Sequence, residues 1–224
     1  CPPTPVRTPA WAVASSARKT PLVRQNSLSK SKILVQDGHL LDDSEVVPFT
    51  FEGHFIEVST LGSGVSADVL RVISKEDTQF YAVKRSKFQF KGKKDRDFVL
   101  QEVKCMLKLE ESPSPYIMKF YRTWQEDGYC FTQMEYCVGT LQLYLSRLGG
   151  VRPPAGALWQ AAHDLGAGLA AVHAAGLVHL DVKPENTLVS TRGLLKLGDF
   201  GSAARAGADG DDGREGDPRY LAPE

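Results

Sequence analysis

The chain has no net charge: Lys plus Arg number 27 and Asp plus Glu number 27 over 224 residues. That balance excludes a surface that is basic throughout, which general binding to nucleic acid or to an anionic membrane would need. Cysteine is scarce. The four present (Cys1, Cys105, Cys130, Cys137) show no CxxC spacing and no accompanying histidine pattern, which indicates neither a zinc site nor a disulfide framework but reduced thiols in an intracellular protein. No run approaches the roughly 18 uninterrupted apolar residues of a membrane span; the most apolar stretch, 166–178, is interrupted by His173. No charged-then-apolar signal segment opens the chain, which starts at Cys1 and stops after Pro223-Glu224, so we expect a sequence cut at both ends. Acidic residues are missing from 1–36, where Arg7, Arg18, Lys19, Arg24, Lys30 and Lys32 leave the remainder with a net charge of −6. Hydroxyl side chains are missing between Ser202 and Tyr220.

What is present has the texture of a globular protein, with 42% hydrophobic, 24% charged and 9% aromatic residues. Thirteen of the first 32 residues are Ser, Thr or Pro, and so polar a segment does not recover the entropy of ordering, so residues 1–54 are expected to be a disordered basic tail and linker. Within it Thr4-Pro5-Val6-Arg7, Thr8-Pro9 and Thr20-Pro21 suit proline-directed kinases, and Arg24-Gln25-Asn26-Ser27 suits a basophilic one. From Phe55 onward, alternating apolar segments predict strands at 55–61, 68–73, 79–85, 117–125 and 129–134, punctuated by Gly62-Ser63-Gly64, Lys75-Glu76-Asp77 and Asp127-Gly128. A helical period over 96–109 puts Val99, Val103, Met106 and Leu107 on one face. After a proline- and glycine-rich stretch at 149–156, a second helix is expected over 157–175. The expected fold class is α+β: a five-stranded, mostly antiparallel sheet with one helix, then a mainly helical region.

Three constellations carry chemistry. Between the first two strands, Leu61-Gly62-Ser63-Gly64 offers backbone N–H groups that could close over phosphates, with Val69 following; alone it is weak, because Ala67 stands where a third glycine would complete the pattern and a plain hairpin turn fits equally. Lys84 sits in the apolar strand Tyr81-Ala82-Val83-Lys84, where a charge is costly unless paired, and Glu102 on the next helix is the candidate partner. In Val178-His179-Leu180-Asp181-Val182-Lys183-Pro184-Glu185-Asn186, followed by Asp199-Phe200-Gly201, an aspartate can accept a hydroxyl proton and a nearby lysine can neutralise a moving phosphoryl group. Asn186 and Asp199 add hard oxygen ligands for a divalent cation.

These motifs in this order, closing on Ala222-Pro223-Glu224, resemble the eukaryotic protein kinases over residues 55 to 224. The resemblance implies a bilobal kinase fold, with an N-lobe and hinge over 55–137 and an incomplete C-lobe over 138–224. It implies ATP and Mg2+ as cofactors. Leu61, Gly62, Ser63 and Gly64 would cover the phosphates, Val69 and Ala82 would lie above the adenine and Leu188 below it, and Lys84, fixed by Glu102, would hold the α- and β-phosphates. Glu135 to Cys137 would be the hinge whose backbone reads adenine, with Met134 guarding the inner pocket. Asp181 would be the catalytic base, Lys183 would steady the γ-phosphate, and Asn186 and Asp199 would hold magnesium. Met106, Phe120, His179 and Phe200 would stack into a spine between the lobes.

Finer motifs resemble the Wee/Myt kinases: Tyr81-Ala-Val-Lys-Arg-Ser86 with Phe90, Gly92 and Lys94-Asp95-Arg96, then His179-Leu-Asp-Val-Lys-Pro184, and above all Glu215-Gly-Asp-Pro-Arg-Tyr220, where Asp217 stands in place of the threonine usual in Ser/Thr kinases. That resemblance implies a monomeric kinase whose protein substrate is a cyclin-dependent kinase, phosphorylated on tyrosine, and in the Myt branch on threonine too, in its glycine loop so that mitosis is held back, with no nucleic acid partner. It implies a nuclear or cytoplasmic location, or anchoring to a membrane by a segment beyond Glu224. Two alternatives stay open: a Ser/Thr kinase of another group, which Lys183 favours, and a pseudokinase or binding module, which Ala67 favours. Leu180 replaces the arginine that commonly neutralises an activation-loop phosphate and the loop lacks hydroxyls, so activity without such phosphorylation is expected, with Asp217 pairing to Lys183 instead. Lys87, Lys91, Lys93, Lys94 and Arg96 form either a solvated loop or a dock for an acidic partner surface.

Overall fold

The computed structural model describes residues 31–36, 39–40, 49–89, 92–207 and 216–220. Its larger sheet has seven strands: β1 (Ser31–Gln36), β2 (His39–Leu40), β3 (Phe55–Ser63), β4 (Ala67–Ser74), β5 (Phe80–Ser86), β6 (Phe120–Glu126) and β7 (Tyr129–Glu135), in the order β2-β1-β6-β7-β5-β4-β3 with antiparallel pairing throughout. The last five in that order are the expected antiparallel sheet. The sixth observed strand starts at Phe120 rather than at 117 because its predecessors pair elsewhere: Met118 N donates to Leu197 O (2.9 Å) and Leu197 N to Tyr116 O (2.8 Å).

The other two strands, at 31–36 and 39–40, lie within the stretch expected to be a disordered tail and linker, and they correct that expectation for those residues. β1 covers the edge of β6 in a register running from Ser31 opposite Glu126 to Gln36 opposite Arg122. An open sheet edge presents a row of unpaired N–H and C=O groups that an extended Lys-Ile-Leu-Val segment can satisfy. A one-turn helix, α1 (Phe51–His54), follows, capped by Thr50 Oγ1, which accepts from Gly53 N at 3.1 Å. Phe49 is buried: its ring meets Trp124 edge-on at 4.9 Å, and Trp124 stacks on Phe55 and Phe131 (5.9 and 5.2 Å). This aromatic cluster, with Leu70, Val72 and Val83, is one of three apolar clusters among the described residues. The phosphorylation motifs at 4–27 lie outside the described residues.

The second core joins the sheet to the helical part. Helix α2 (Lys93–Glu110) begins three residues before the expected start and presents Val103 and Met106 to that core, with Val99 and Leu107 at its margin, the face that the 3.6-residue period marked. Strand β8 (Cys137–Thr140) and helix α3 (Leu141–Arg147) lead to α4 (Ala155–Ala174), which carries Val172 into the same core. β9 (Leu177–Val178) pairs with β12 (Ala204–Arg205), while β10 (Thr187–Ser190) lies between β8 and β11 (Leu195–Leu197). Asp164, almost fully buried on α4, accepts from Leu195 N (3.0 Å) and Gln160 Nε2 (2.7 Å), so it ties the long helix to the strand before Asp199. Gly168 makes that approach possible: a Cβ there would stand 3.1 Å from both Leu197 Cδ1 and Tyr116 O.

Candidate active site

Lys84 on β5 and Glu102 on α2, eighteen residues apart, meet at 2.8 Å, and Asp199 Oδ1 lies 3.5 Å from the same ammonium. Burial alone would lower the Lys84 pKa, but the Glu102 and Asp199 carboxylates more than offset it and hold the ammonium well above its ordinary value. The glycine turn is fastened from below by Ser63 Oγ donating to Asp68 Oδ1 (2.7 Å) and Lys87 Nζ donating to Ser63 Oγ (2.8 Å). At Gly62 nothing lies within 4 Å of where a Cβ would stand. The fold therefore does not demand glycine there, and the open space lets another molecule approach the backbone, as a phosphate cradle requires.

Val69, Ala82, Met134 and Leu188 come together with Met118 in one small apolar cluster, whereas Leu61 is exposed on β3. Beside them the chain passes from β7 to β8 through Glu135, Tyr136 and Cys137. Glu135 N donates to Lys119 O (3.0 Å), and the Glu135 carboxylate takes Lys119 N (2.8 Å) and Lys196 Nζ (2.6 Å). Burial pushes the Cys137 thiol up to about 12. Met106, Phe120 and Phe200 share the second core, and His179 and Phe200 are 4.9 Å apart, so the expected four-residue stack is assembled. A cleft of about 290 Å³ borders this stack, lined by Met106, Leu109, Phe120, Lys196 and Phe200; it does not reach the glycine turn.

The densest polar cluster surrounds Asp181. Its Oδ2 receives Asn186 Nδ2 (2.8 Å) and Lys183 Nζ (2.9 Å), and its Oδ1 receives Asp217 N (3.2 Å). Burial would raise the Asp181 carboxyl, but Lys183, the Asp217 amide and Asn186 together hold it below the usual carboxylate range; hydrogen bonding to Asp181 in turn raises Lys183. Lys183 Nζ is also 3.5 Å from Asp217 Oδ2, the contact expected from the sequence. Asp217 is further gripped by Arg219, whose Nη2 and Nε lie 2.6 and 3.0 Å from its carboxylate, and Arg219 reaches Glu185 at 3.2 Å. Asn186 Nδ2 is used on Asp181 O and Oδ2, which leaves its amide oxygen as an acceptor. Gly198 N donates to the backbone carbonyl of Asn186 (2.9 Å), which ties the residue before Asp199 to Asn186; the Asn186 amide and Asp199 carboxylate oxygens are of the type that hard divalent cations take.

Two features here were invisible in the sequence. Leu180 and Asp199 adopt left-handed backbone conformations (φ of 62° and 58°), strain that non-glycine residues keep only where surrounding contacts enforce it. The backbone amide of Asp217 contacts Asp181 while its carboxylate meets Lys183, and no side-chain pattern advertises a backbone donor. Lys87 is bound to the glycine turn instead of standing free, while Lys91, the side chains of Lys93, Lys94 and Arg96, the acidic residues 209–215 and Ala222-Pro223-Glu224 lie outside the described residues.

A two-part fold with a glycine turn, a Lys–Glu–Asp triad and an Asp–Lys–Asn cluster between the parts defines the class: a protein kinase domain. The family model described as "Protein kinase domain" matches residues 55–224, and the chain belongs to that family. Curated relatives extend the Wee/Myt likeness over most of the chain. It is 34% identical over 202 residues (89% of this chain, 22% of the relative) to the mitosis inhibitor protein kinase wee1 of Schizosaccharomyces pombe. It is 37% identical over 177 residues (78% and 32%) to the membrane-associated tyrosine- and threonine-specific cdc2-inhibitory kinase of Drosophila melanogaster. A probable protein kinase of Dictyostelium discoideum is also 37% identical over 177 residues (76% and 49%). The chain spans less than half the length of each of these relatives.

Proposed function

We propose that this kinase transfers the γ-phosphoryl group of Mg-ATP to tyrosine, with or without threonine beside it, in the glycine loop of a cyclin-dependent kinase and so restrains mitosis. The observation that carries this reading is the Asp181 cluster, in which Asp217 occupies a position where Ser/Thr kinases carry threonine and is bound by both Lys183 and Arg219. Asp181 would accept the substrate hydroxyl proton, Lys183 would neutralise the moving phosphoryl group, and Lys84, oriented by Glu102, would hold the α- and β-phosphates. Asn186 and Asp199 would hold magnesium, which when bound shields phosphate charge. The backbone of Glu135 and Cys137 would read adenine between Val69, Ala82 and Leu188, with Leu61 to Gly64 over the phosphates. The name of the fly relative, a tyrosine- and threonine-specific cdc2-inhibitory kinase, supports the choice of substrate, and that of the yeast relative, a mitosis inhibitor, supports the outcome. Among the described residues no helix is long and apolar enough to cross a membrane.

The test is phosphoamino-acid analysis of an inactive cyclin-dependent kinase after incubation with the full chain and Mg-ATP. Phosphotyrosine, alone or with phosphothreonine, is expected, with loss of at least about 1,000-fold of the signal in Asp181→Asn, as for removal of a positioned general base whose neighbours act with it as a unit. Phosphoserine alone would favour a Ser/Thr kinase of another group, and a full chain that gains no thermal stability from saturating Mg-ATP would favour a binding module.

A further inference from the structure

Arg71, in the middle of β4, carries its guanidinium carbon 4.0 Å from the ring centroid of Phe80 and 4.9 Å from that of Tyr136; the two rings are 5.9 Å apart. Phe80 opens β5, and Tyr136 is the residue between Glu135 and Cys137 at which the sheet hands over to β8. The stack follows the strand register: Arg71 lies opposite Ala82, Ala82 opposite Met134, and Tyr81 opposite Glu135. Arg71 Nε is buried and has no hydrogen-bond partner among the described residues. A guanidinium stays charged at any ordinary pH, and hiding one of its N–H groups without an acceptor is unfavourable unless aromatic faces supply the compensating attraction. Here two rings do so.

We propose that Arg71 is a positioning residue for nucleotide binding: by clamping Tyr136 against Phe80 it fixes the backbone of the hinge to the sheet and thereby sets the affinity for ATP. The inference rests on the proposed kinase function. Glu135 is secured on one side by its bonds with Lys119 and Lys196, whereas Tyr136, the next residue, has the ring contacts to Phe80 and Arg71 as its visible anchor. A segment that reads a base through backbone groups binds weakly if it must be ordered at each binding event, and a stack that orders it beforehand removes that cost. Lysine would keep the charge but lose the planar face that two rings can cover.

The experiment measures steady-state phosphotransfer and equilibrium nucleotide binding by the full chain and by Arg71→Leu, Arg71→Lys, Tyr136→Leu and the Arg71→Leu/Tyr136→Leu double variant. Arg71→Leu should raise the KM and Kd for ATP about 3- to 10-fold, in line with the strength of such stacks, while kcat and the KM for protein substrate move by less than about two-fold. Arg71→Lys should fall between, and the double variant should be no worse than the poorer single one, the sign that both residues act through one contact. ATP affinity unchanged in Arg71→Leu, or a double variant losing the product of the two single effects, would overturn the clamp while leaving the kinase reading intact. A wild-type chain that binds no ATP would overturn both.

Discussion

His179 shows how a single residue connects the core to the site. Its Nε2 lies 3.1 Å from Gly198 O, which only accepts, so Nε2 carries the proton, and Nδ1 accepts from Asp181 N at 3.3 Å. One neutral tautomer satisfies both neighbours, and a second proton would set Nδ1–H against an N–H. Burial, the main cause, accordingly holds the imidazole below its ordinary 6.5 despite the opposing Gly198 carbonyl. In the unfolded chain His179 takes up a proton as the pH falls through about 6.5, whereas in the folded chain it resists until lower pH. Its contribution to stability is therefore complete above that value and is lost as the pH falls below it. Urea unfolding at pH 7.5 and 5.5 should show a decline in stability that is smaller in His179→Phe, and equal slopes in the two proteins would refute the argument. At this scale two pairings were legible in advance, Lys84 with Glu102 and Lys183 with Asp217, because each sets charge in an apolar or loop context where only a partner justifies it. The left-handed φ of Leu180 and Asp199 was not, because strain is imposed by neighbours rather than by residue type.

Among the elements, the glycine-mediated contact of α4 with β11 is the most demanding. Gly168→Ala places a methyl 3.1 Å from a backbone oxygen, which cannot move aside like the end of a flexible side chain. The variant should lose about 1 to 3 kcal/mol of stability by overpacking even though alanine is the better helix former; a melting temperature at or above the parent's would show that the helix shifts freely. The helix itself was expected over 157–175, with ends within two residues of those observed. β1 was not: in a segment defined by Ser, Pro and basic residues, six extended residues become a strand only because β6 presents an open edge. Composition describes what a segment does alone, and this one is not alone.

The whole molecule leaves apolar surface uncovered. Trp159 is 77% exposed and Leu158 49% exposed on α4, and Leu143 and Leu145 on α3 are exposed as well. A patch of this kind favours self-association, in contrast to the monomer that the family resemblance implies. Sedimentation of the 224-residue chain should show concentration-dependent oligomers that diminish in Leu158→Ser/Trp159→Ser; a monomer at all concentrations would contradict it. The zero net charge is likewise no guide to local charge, because the basic beginning of the chain and the acidic stretch at 209–217 cancel in the sum without meeting in the sequence.

The sequence by itself determined the class of fold and the chemical inventory of the site, since both rest on local properties: the period of apolar residues, glycine at a turn, and charged groups in places that burial would otherwise forbid. Only the tertiary structure decided that segments before Phe55 join the sheet and its core, with Phe49 packed on Trp124 and β1 paired to β6, and which groups satisfy Asp181, a carboxylate shared among Lys183, Asn186 and the Asp217 amide. It alone brought Arg71 between Phe80 and Tyr136. The reason is that pairing partners distant in sequence are chosen by the open edges, ring faces and unsatisfied donors that the assembled fold leaves over, and no single segment records them.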